Sequence, residues 1–244
     1  MRTGDDPATL AYLRQIERAF RARELMVTQH HIDPATGNDG LIATLDELGA
    51  DDAVQGILVP QPLAPPFDLE AVYAALPVAK DVEGIHPANV GALAQNRAGP
   101  VPSTPLAGIE LLEASRIQIA GALAVVVGRS PIVGRPLAQL LLRRDATVVV
   151  CHSRSGDLGR YTRQADILCA AAGRPNLVRA DMVKLGATVI DFGINVVGDA
   201  LVGDVAFAEV AEIVGAITPV PGGTGPVTTA VLARNLLDCA EALA

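Results

Sequence analysis

Tryptophan is absent from the 244-residue chain, and aromatic residues make up only 3% of it, so any core must be packed from aliphatic side chains. Basic charge is scarce. With 19 Lys and Arg against 27 Asp and Glu, the formal net charge is −8, which excludes the broad basic surface that nucleic acid requires. No apolar run reaches the ~18–20 residues of a membrane span. The start, MRTGDDPATL, lacks the apolar stretch of a secretory signal, so the expected compartment is the cytoplasm. Cysteine is limited to Cys151, Cys169 and Cys239. They are odd in number and far apart, as reduced, partly buried thiols are. His30, His31, His86 and His152 show no ligand spacing, and no metal is expected.

What is abundant is aliphatic: half the residues are hydrophobic, enough for one large domain or two ordinary ones. Asp5-Asp6-Pro7 reads as a helix start, with the helix running to about Glu24. MVTQHHI (26–32) reads as a weak strand, NDGLIATLDELGA (38–50) as a capped helix, VQGILVP (54–60) as a buried strand and DLEAVYAAL (68–76) as a short helix. KDVEGIHPANVGAL (80–93) reads as a polar loop. From there strands at 122–127, 146–151, 166–171 and 187–192 and a helix at 134–144 are predicted, with a last helix over about 227–242. The continuous Val/Ile/Ala runs suggest strands buried on both faces, hence a parallel doubly wound sheet.

VVVGRSPIVGRP (125–136) joins the first of these strands to its helix. Gly128 permits a tight turn, and Gly134 lets a helix start approach a phosphate, whose charge its N–H groups attract. A plain strand-to-helix loop, with glycines for turn geometry only, is the alternative. The end of the next strand reads Cys151-His152-Ser153-Arg154-Ser155. No carboxylate stands there to accept from a free 2′-hydroxyl. Arg129, Arg154 and the serines suit a 2′-phosphate, so NADP is favoured over NAD.

GDDPAT, GILVPQPL, KDVEGIHPANVG, PSTP, VVVGRSPIVGRP, CHSRS, AAAGRP, VIDFGIN, VGDV and ITPVPGGTGPVT, in that order, resemble the bifunctional methylenetetrahydrofolate dehydrogenase/methenyltetrahydrofolate cyclohydrolase family. The resemblance implies an α/β protein with a Rossmann-like, doubly wound parallel-sheet NADP domain at about 103–226. It also implies a smaller α/β tetrahydrofolate domain, 1–102 plus 227–244, closed by the C-terminal helix, with the folate cleft between them and a homodimer. By the same resemblance Gly128, Arg129, Ser130, Gly134, Ser153 and Arg154 hold NADP, and Thr104, Ile194 and Thr228 line the nicotinamide or the cleft. Tyr12 stacks on the folate, Asp81 belongs to the substrate loop, Glu83 grips the pterin, and Gly222, Gly223 and Pro226 wall it. Tyr12, Asp81 and Glu83 are thus the candidate catalytic group.

The chain departs from that pattern in places. Ile16 stands where the family has the acid–base lysine of the cyclohydrolase step, Pro60 replaces its partner glutamine, and Glu83 replaces an aspartate. Gln61 is adjacent to Pro60, but one step along an extended chain faces the other way. Arg14 and Arg18 project about 200° around the helix from Ile16. Lys80 and His86, expected to be solvated, are the alternative bases. The family also carries a helix and a strand before GDDPA; here Met1 lies just ahead of Gly4, so a late-set start or a smaller, weakened substrate domain is expected. The implied activity is the NADP-dependent dehydrogenase, with the cyclohydrolase step in question. The alternatives are a fully bifunctional enzyme, a dehydrogenase for another pterin carrier, and a non-catalytic NADP-binding homologue.

Overall fold

The computed structural model describes the whole chain except Asp5, Pro62, Ala64 and Asp199 and the side chains of Pro7 and Ala8. It divides into two compact units, Met1–Val101 with Thr229–Ala244, and Pro102–Thr228.

The first unit is built on helices. In α1 (Pro7–Arg21), the Asp6 carboxylate accepts from the Thr9 amide at 2.8 Å and hydroxyl at 2.9 Å. An acidic cap before a first-turn proline is the signal the sequence carries; Asp5 lies outside the described residues. Leu13, Ile16 and Phe20, spaced by three and four, are all buried. Ile16 and Phe20 pack with Val82, Leu232, Ala233 and Cys239. The latter three lie on α9 (Thr224–Leu243), whose residues from Thr229 belong to this unit. Helix α2 (Gly37–Ala50) forms without a side-chain cap. The Asn38 carboxamide oxygen instead accepts from Asp68 N at 2.8 Å, at the start of α3 (Leu69–Ala75).

Two expectations fail here. Segments 26–32 and 54–60 build no strand ladder. They make only isolated parallel bridges, Arg2 with His31 and Ile57 with Asp81. The loop expected at 80–93 contains a helix, α4 (Pro87–Ala94), capped by His86, whose Nδ1 accepts from Ala88 N at 3.0 Å. Histidine is not a usual cap; Pro87 at the first helical position was the signal to read. Lys80 is not solvated either. It is 5% exposed, and its ammonium donates to the carbonyls of Leu48 at 3.0 Å and Asp51 at 2.8 Å. It therefore closes the C-terminal end of α2, where unpaired carbonyls need a donor.

The second unit opens with α5 (Ser103–Ala114) and then alternates. Strand β1 (Leu123–Val127) leads to α6 (Gly134–Leu142), β2 (Thr147–Cys151), α7 (Gly159–Thr162), β3 (Ile167–Ala170) and β4 (Thr188–Asp191). An antiparallel hairpin, β5 (Asn195–Val197) and β6 (Ala200–Val202), then α8 (Phe207–Val210) and β7 (Ala216–Ile217), complete it. The five-stranded sheet runs β2-β1-β3-β4-β7, every pairing parallel. The order reverses between β1 and β3, which makes their carboxyl ends the switch point of a doubly wound sheet. β3 and β4 are buried throughout and β1 nearly so. β2 departs from the expected two-sided burial: Thr147 and Val150 are exposed because the strand lies at the sheet edge.

Replacing Lys80 with Met leaves two carbonyls at the end of α2 without their donor. It should lower the unfolding free energy by about 1–3 kcal/mol, read from urea melts; a melt unchanged from the parent would contradict the capping role.

Candidate functional site

In the second unit, the loops at the carboxyl ends of β1 and β3 meet. Gly128 has φ +136, and a Cβ there would stand 2.1 Å from the carbonyl oxygen of Ala171. A Cβ on Gly134 would stand 2.3 Å from Gly128 O. Both glycines are therefore demanded by close backbone approach. Ser130 Oγ accepts from Val133 N at 3.2 Å and Gly134 N at 3.3 Å, so its hydroxyl organises the first turn of α6. Beyond β2, His152 N donates to Ser155 Oγ at 2.9 Å and Arg154 N to His152 Nδ1 at 3.1 Å. This tight turn leaves Ser153 and Arg154 exposed, as Arg129 is. The turn from His152 to Ser155 contains no acid. A glycine cradle, a helix start and two exposed guanidiniums fit a dinucleotide phosphate chain with an additional ribose phosphate.

Other predicted residues of this unit are placed less uniformly. Thr104 is half-buried in the first turn of α5, and Ile194, 68% exposed, follows β4. Thr228 is buried, and its hydroxyl donates to Thr224 O at 3.0 Å inside α9. Gly222 has φ +102, and Pro226 sits in the first turn of α9, which begins earlier than 227. Asp191 and Asp204, buried at 2% and 0% exposure, were not among the predicted residues. The patterns VIDFGIN and VGDV carried them, but nothing in the sequence told that two carboxylates would be buried together.

In the first unit, Asp81 is fully buried. Its carboxylate accepts from His86 N at 2.8 Å, Asn89 Nδ2 at 2.8 Å and Glu83 N at 3.3 Å. It thus folds the 81–89 loop back on itself. Burial, and then the negative charge of Asp81, push the Glu83 carboxyl up to about 8, with the Met1 ammonium opposing. Burial first and Glu83 second hold the hydroxyls of Tyr12 and Tyr73 above the usual phenol range. Tyr12, Tyr73, Asp81 and Glu83 therefore share one electrostatic neighbourhood. Tyr73 was not predicted; Gln61 Nε2 donates to its hydroxyl, which gives the glutamine beside Pro60 a partner. Ile16 is 2% exposed and belongs to the apolar core. An apolar groove of this unit, lined by Ile16, Phe20, Leu25, Val54, Ile57 and Leu236, does not include the Glu83 group. Among the described residues no cluster of His, Cys, Asp and Glu could hold a metal, and no helix is long and apolar enough to cross a membrane.

Residues 102–244 match the model of the tetrahydrofolate dehydrogenase/cyclohydrolase NAD(P)-binding domain, and residues 1–83 that of the family's catalytic domain. The chain is 53% identical over 238 residues to the bifunctional protein FolD of Chloroflexus aurantiacus, covering 97% of this chain and 84% of that one. The bifunctional FolD methylenetetrahydrofolate dehydrogenase/cyclohydrolase of Campylobacter jejuni superposes with a TM-score of 0.96 at 42% identity, covering 98% of this chain and 86% of that one. For the Trypanosoma brucei methylenetetrahydrofolate dehydrogenase-cyclohydrolase, complexed with NADP cofactor and inhibitor, the TM-score is 0.94 at 36% identity, covering 98% and 84%. With both of its units matched in order, and with a glycine cradle at the switch point of a parallel sheet, the chain belongs to the tetrahydrofolate dehydrogenase/cyclohydrolase family.

Proposed function

We propose that the protein oxidises 5,10-methylenetetrahydrofolate to 5,10-methenyltetrahydrofolate with NADP⁺. The observation that carries this is the Gly128–Gly134 cradle beside the acid-free turn His152–Ser155. Bound NADP⁺ supplies the hydride acceptor. The chain itself contributes positioning, because loss of hydride to a nitrogen-stabilised cation needs alignment more than proton transfer. Gly128 and Gly134 admit the phosphates, the α6 start and Ser130 orient them, and Arg129, Ser153 and Arg154 take the ribose phosphate. Thr104, Ile194 and Thr228 line the nicotinamide side. On the folate side, 1–102 with 227–244, Tyr12 stacks on the pterin and Glu83 grips its polar edge. Asp81 holds the loop that presents Glu83. The nucleotide side is 103–226.

The second, cyclohydrolase step requires a proton to move as water adds and the ring nitrogen leaves. Ile16 has none to give and is packed in the core, so this step is the slower one in this chain. Two further elements complete the proposal. Val196, Val197 and Leu201 expose apolar surface on the β5–β6 hairpin, which suits a homodimer. Three buried free thiols suit a reducing, cytoplasmic compartment.

Supplied with methylenetetrahydrofolate and NADP⁺, the protein should form NADPH, while methenyltetrahydrofolate added directly should decay little faster than in buffer. Rapid formyl product would restore the full bifunctional activity. A protein that binds NADP without turnover would be a non-catalytic homologue.

Arg154→Ala should raise KM for NADP⁺ by about ten- to a hundredfold, the worth of a charge-assisted hydrogen bond, and leave KM for NAD⁺ nearly unchanged. Equal effects on the two nucleotides would remove Arg154 from the 2′-phosphate.

Glu83 sets a pH dependence. Between an ordinary carboxyl value near 4.5 and about 8, the folded chain keeps a proton that the unfolded chain has lost. Its contribution to stability therefore falls as pH rises through that window. The difference in melting temperature between Glu83→Gln and the parent should move in favour of the variant from pH 5 to pH 8. A pH-independent difference would show that Glu83 ionises normally.

A further inference from the structure

Two buried carboxylates hold together the ends of β3 and β4. Asp191, at the end of β4, accepts from Gly193 N at 2.8 Å and Asp204 N at 3.0 Å on Oδ1, and from Val205 N at 2.9 Å on Oδ2. Asp204, fixed in this way through its own backbone, accepts in turn from four donors. Ala172 N at 2.5 Å and Gly173 N at 2.8 Å reach Oδ2, while Arg174 N and Asn195 Nδ2, both at 2.9 Å, reach Oδ1. A Cβ on Gly203 would stand 1.9 Å from Asp191 Oδ2, so the corner that carries Asp204 lies directly on the first carboxylate. The post-β3 loop is thus pinned on both sides. Ala171 O abuts Gly128 on one side, and the next three amides are bound to Asp204 on the other.

The position of this loop has a functional meaning in a parallel sheet of this order. The phosphates of a dinucleotide sit at the β1/β3 switch point and one ribose at the end of β2. The other half of the nucleotide must then lie over the ends of β3 and β4, where the pinned loops 171–174 and 193–195 stand. We propose that Asp204, carried on Asp191, is a positioning residue for the cofactor, setting the post-β3 and post-β4 loops that receive the nicotinamide half, a placement that rests on the NADP reading above. Asparagine has the shape of aspartate but a single acceptor oxygen. An amide NH₂ at this position must face either the Ala172 and Gly173 N–H groups or Arg174 N–H and Asn195.

NADPH fluorescence titration of the unmodified protein tests the NADP reading by itself; no binding there overturns that reading and this proposal with it. Given binding, Asp204→Asn should raise the NADPH dissociation constant about tenfold or more, as displacement of a positioning loop does. KM for methylenetetrahydrofolate should stay within about twofold, and amide exchange at Ala172, Gly173 and Arg174 should accelerate. Asn195→Ala keeps the carboxylate and removes one of its donors, and should weaken NADPH in the same direction by less. If Asp204→Asn does not fold, Asn195→Ala decides. Faster exchange at these amides with unchanged NADPH affinity, in either variant, would make the aspartates purely structural and overturn the proposal.

Discussion

Every parallel strand ends by stranding backbone N–H groups in a crowded, poorly solvated place, and each must find an acceptor. That requirement organises the nucleotide-side unit. At the end of β1 the acceptor for Gly128 N is Cys151 O, at 2.8 Å. At the start of α6 it is Ser130 Oγ, and beyond β2 it is Ser155 Oγ and His152 Nδ1. At the ends of β3 and β4 the demand is larger, and two aspartates meet it. The same loops form the carboxyl-end edge of the sheet, so the groups that satisfy the backbone also give the edge its shape.

The first unit solves a similar problem in a smaller loop. Asp81 gathers three N–H donors and folds the chain between β-like Ile57 and α4. Burial, and then the charge of Asp81, raise the proton affinity of its neighbour Glu83. Lys80, one residue before Asp81, is drawn away from this group to the end of α2. Adjacent residues of one motif thus serve different ends: Lys80 a helix terminus and Asp81 a loop.

Much of this was legible before any coordinates. Asp6 with Pro7 marked the start of α1, and the β-branched runs marked β1 to β4. Gly128 and Gly134 marked the close backbone approach after β1, and CHSRS the acid-free turn after β2. The illegible parts have identifiable causes. Segments 26–32 and 54–60 have strand composition, but a strand needs a ladder, and ladders are non-local. The helix at 87–94 was hidden by an atypical histidine cap. Lys80 looked solvated because its acceptors, Leu48 O and Asp51 O, lie about thirty residues away. Tyr73 joined the Glu83 group without any motif to announce it.

What the sequence determined alone is what depends on residue type and local spacing. This covers the amphipathic face of α1, the glycines that admit close backbone and the missing acid after β2. What only the tertiary structure decided is what depends on partners distant in the chain: which carboxylates are buried, which N–H groups they receive, and whether a charged side chain meets solvent or a helix end. Asp204 shows the division most plainly. As a letter it is one acid among many. Its meaning comes from three amides some thirty residues before it and from the aspartate beneath it, because a buried charge is tolerated only where the fold assembles donors around it.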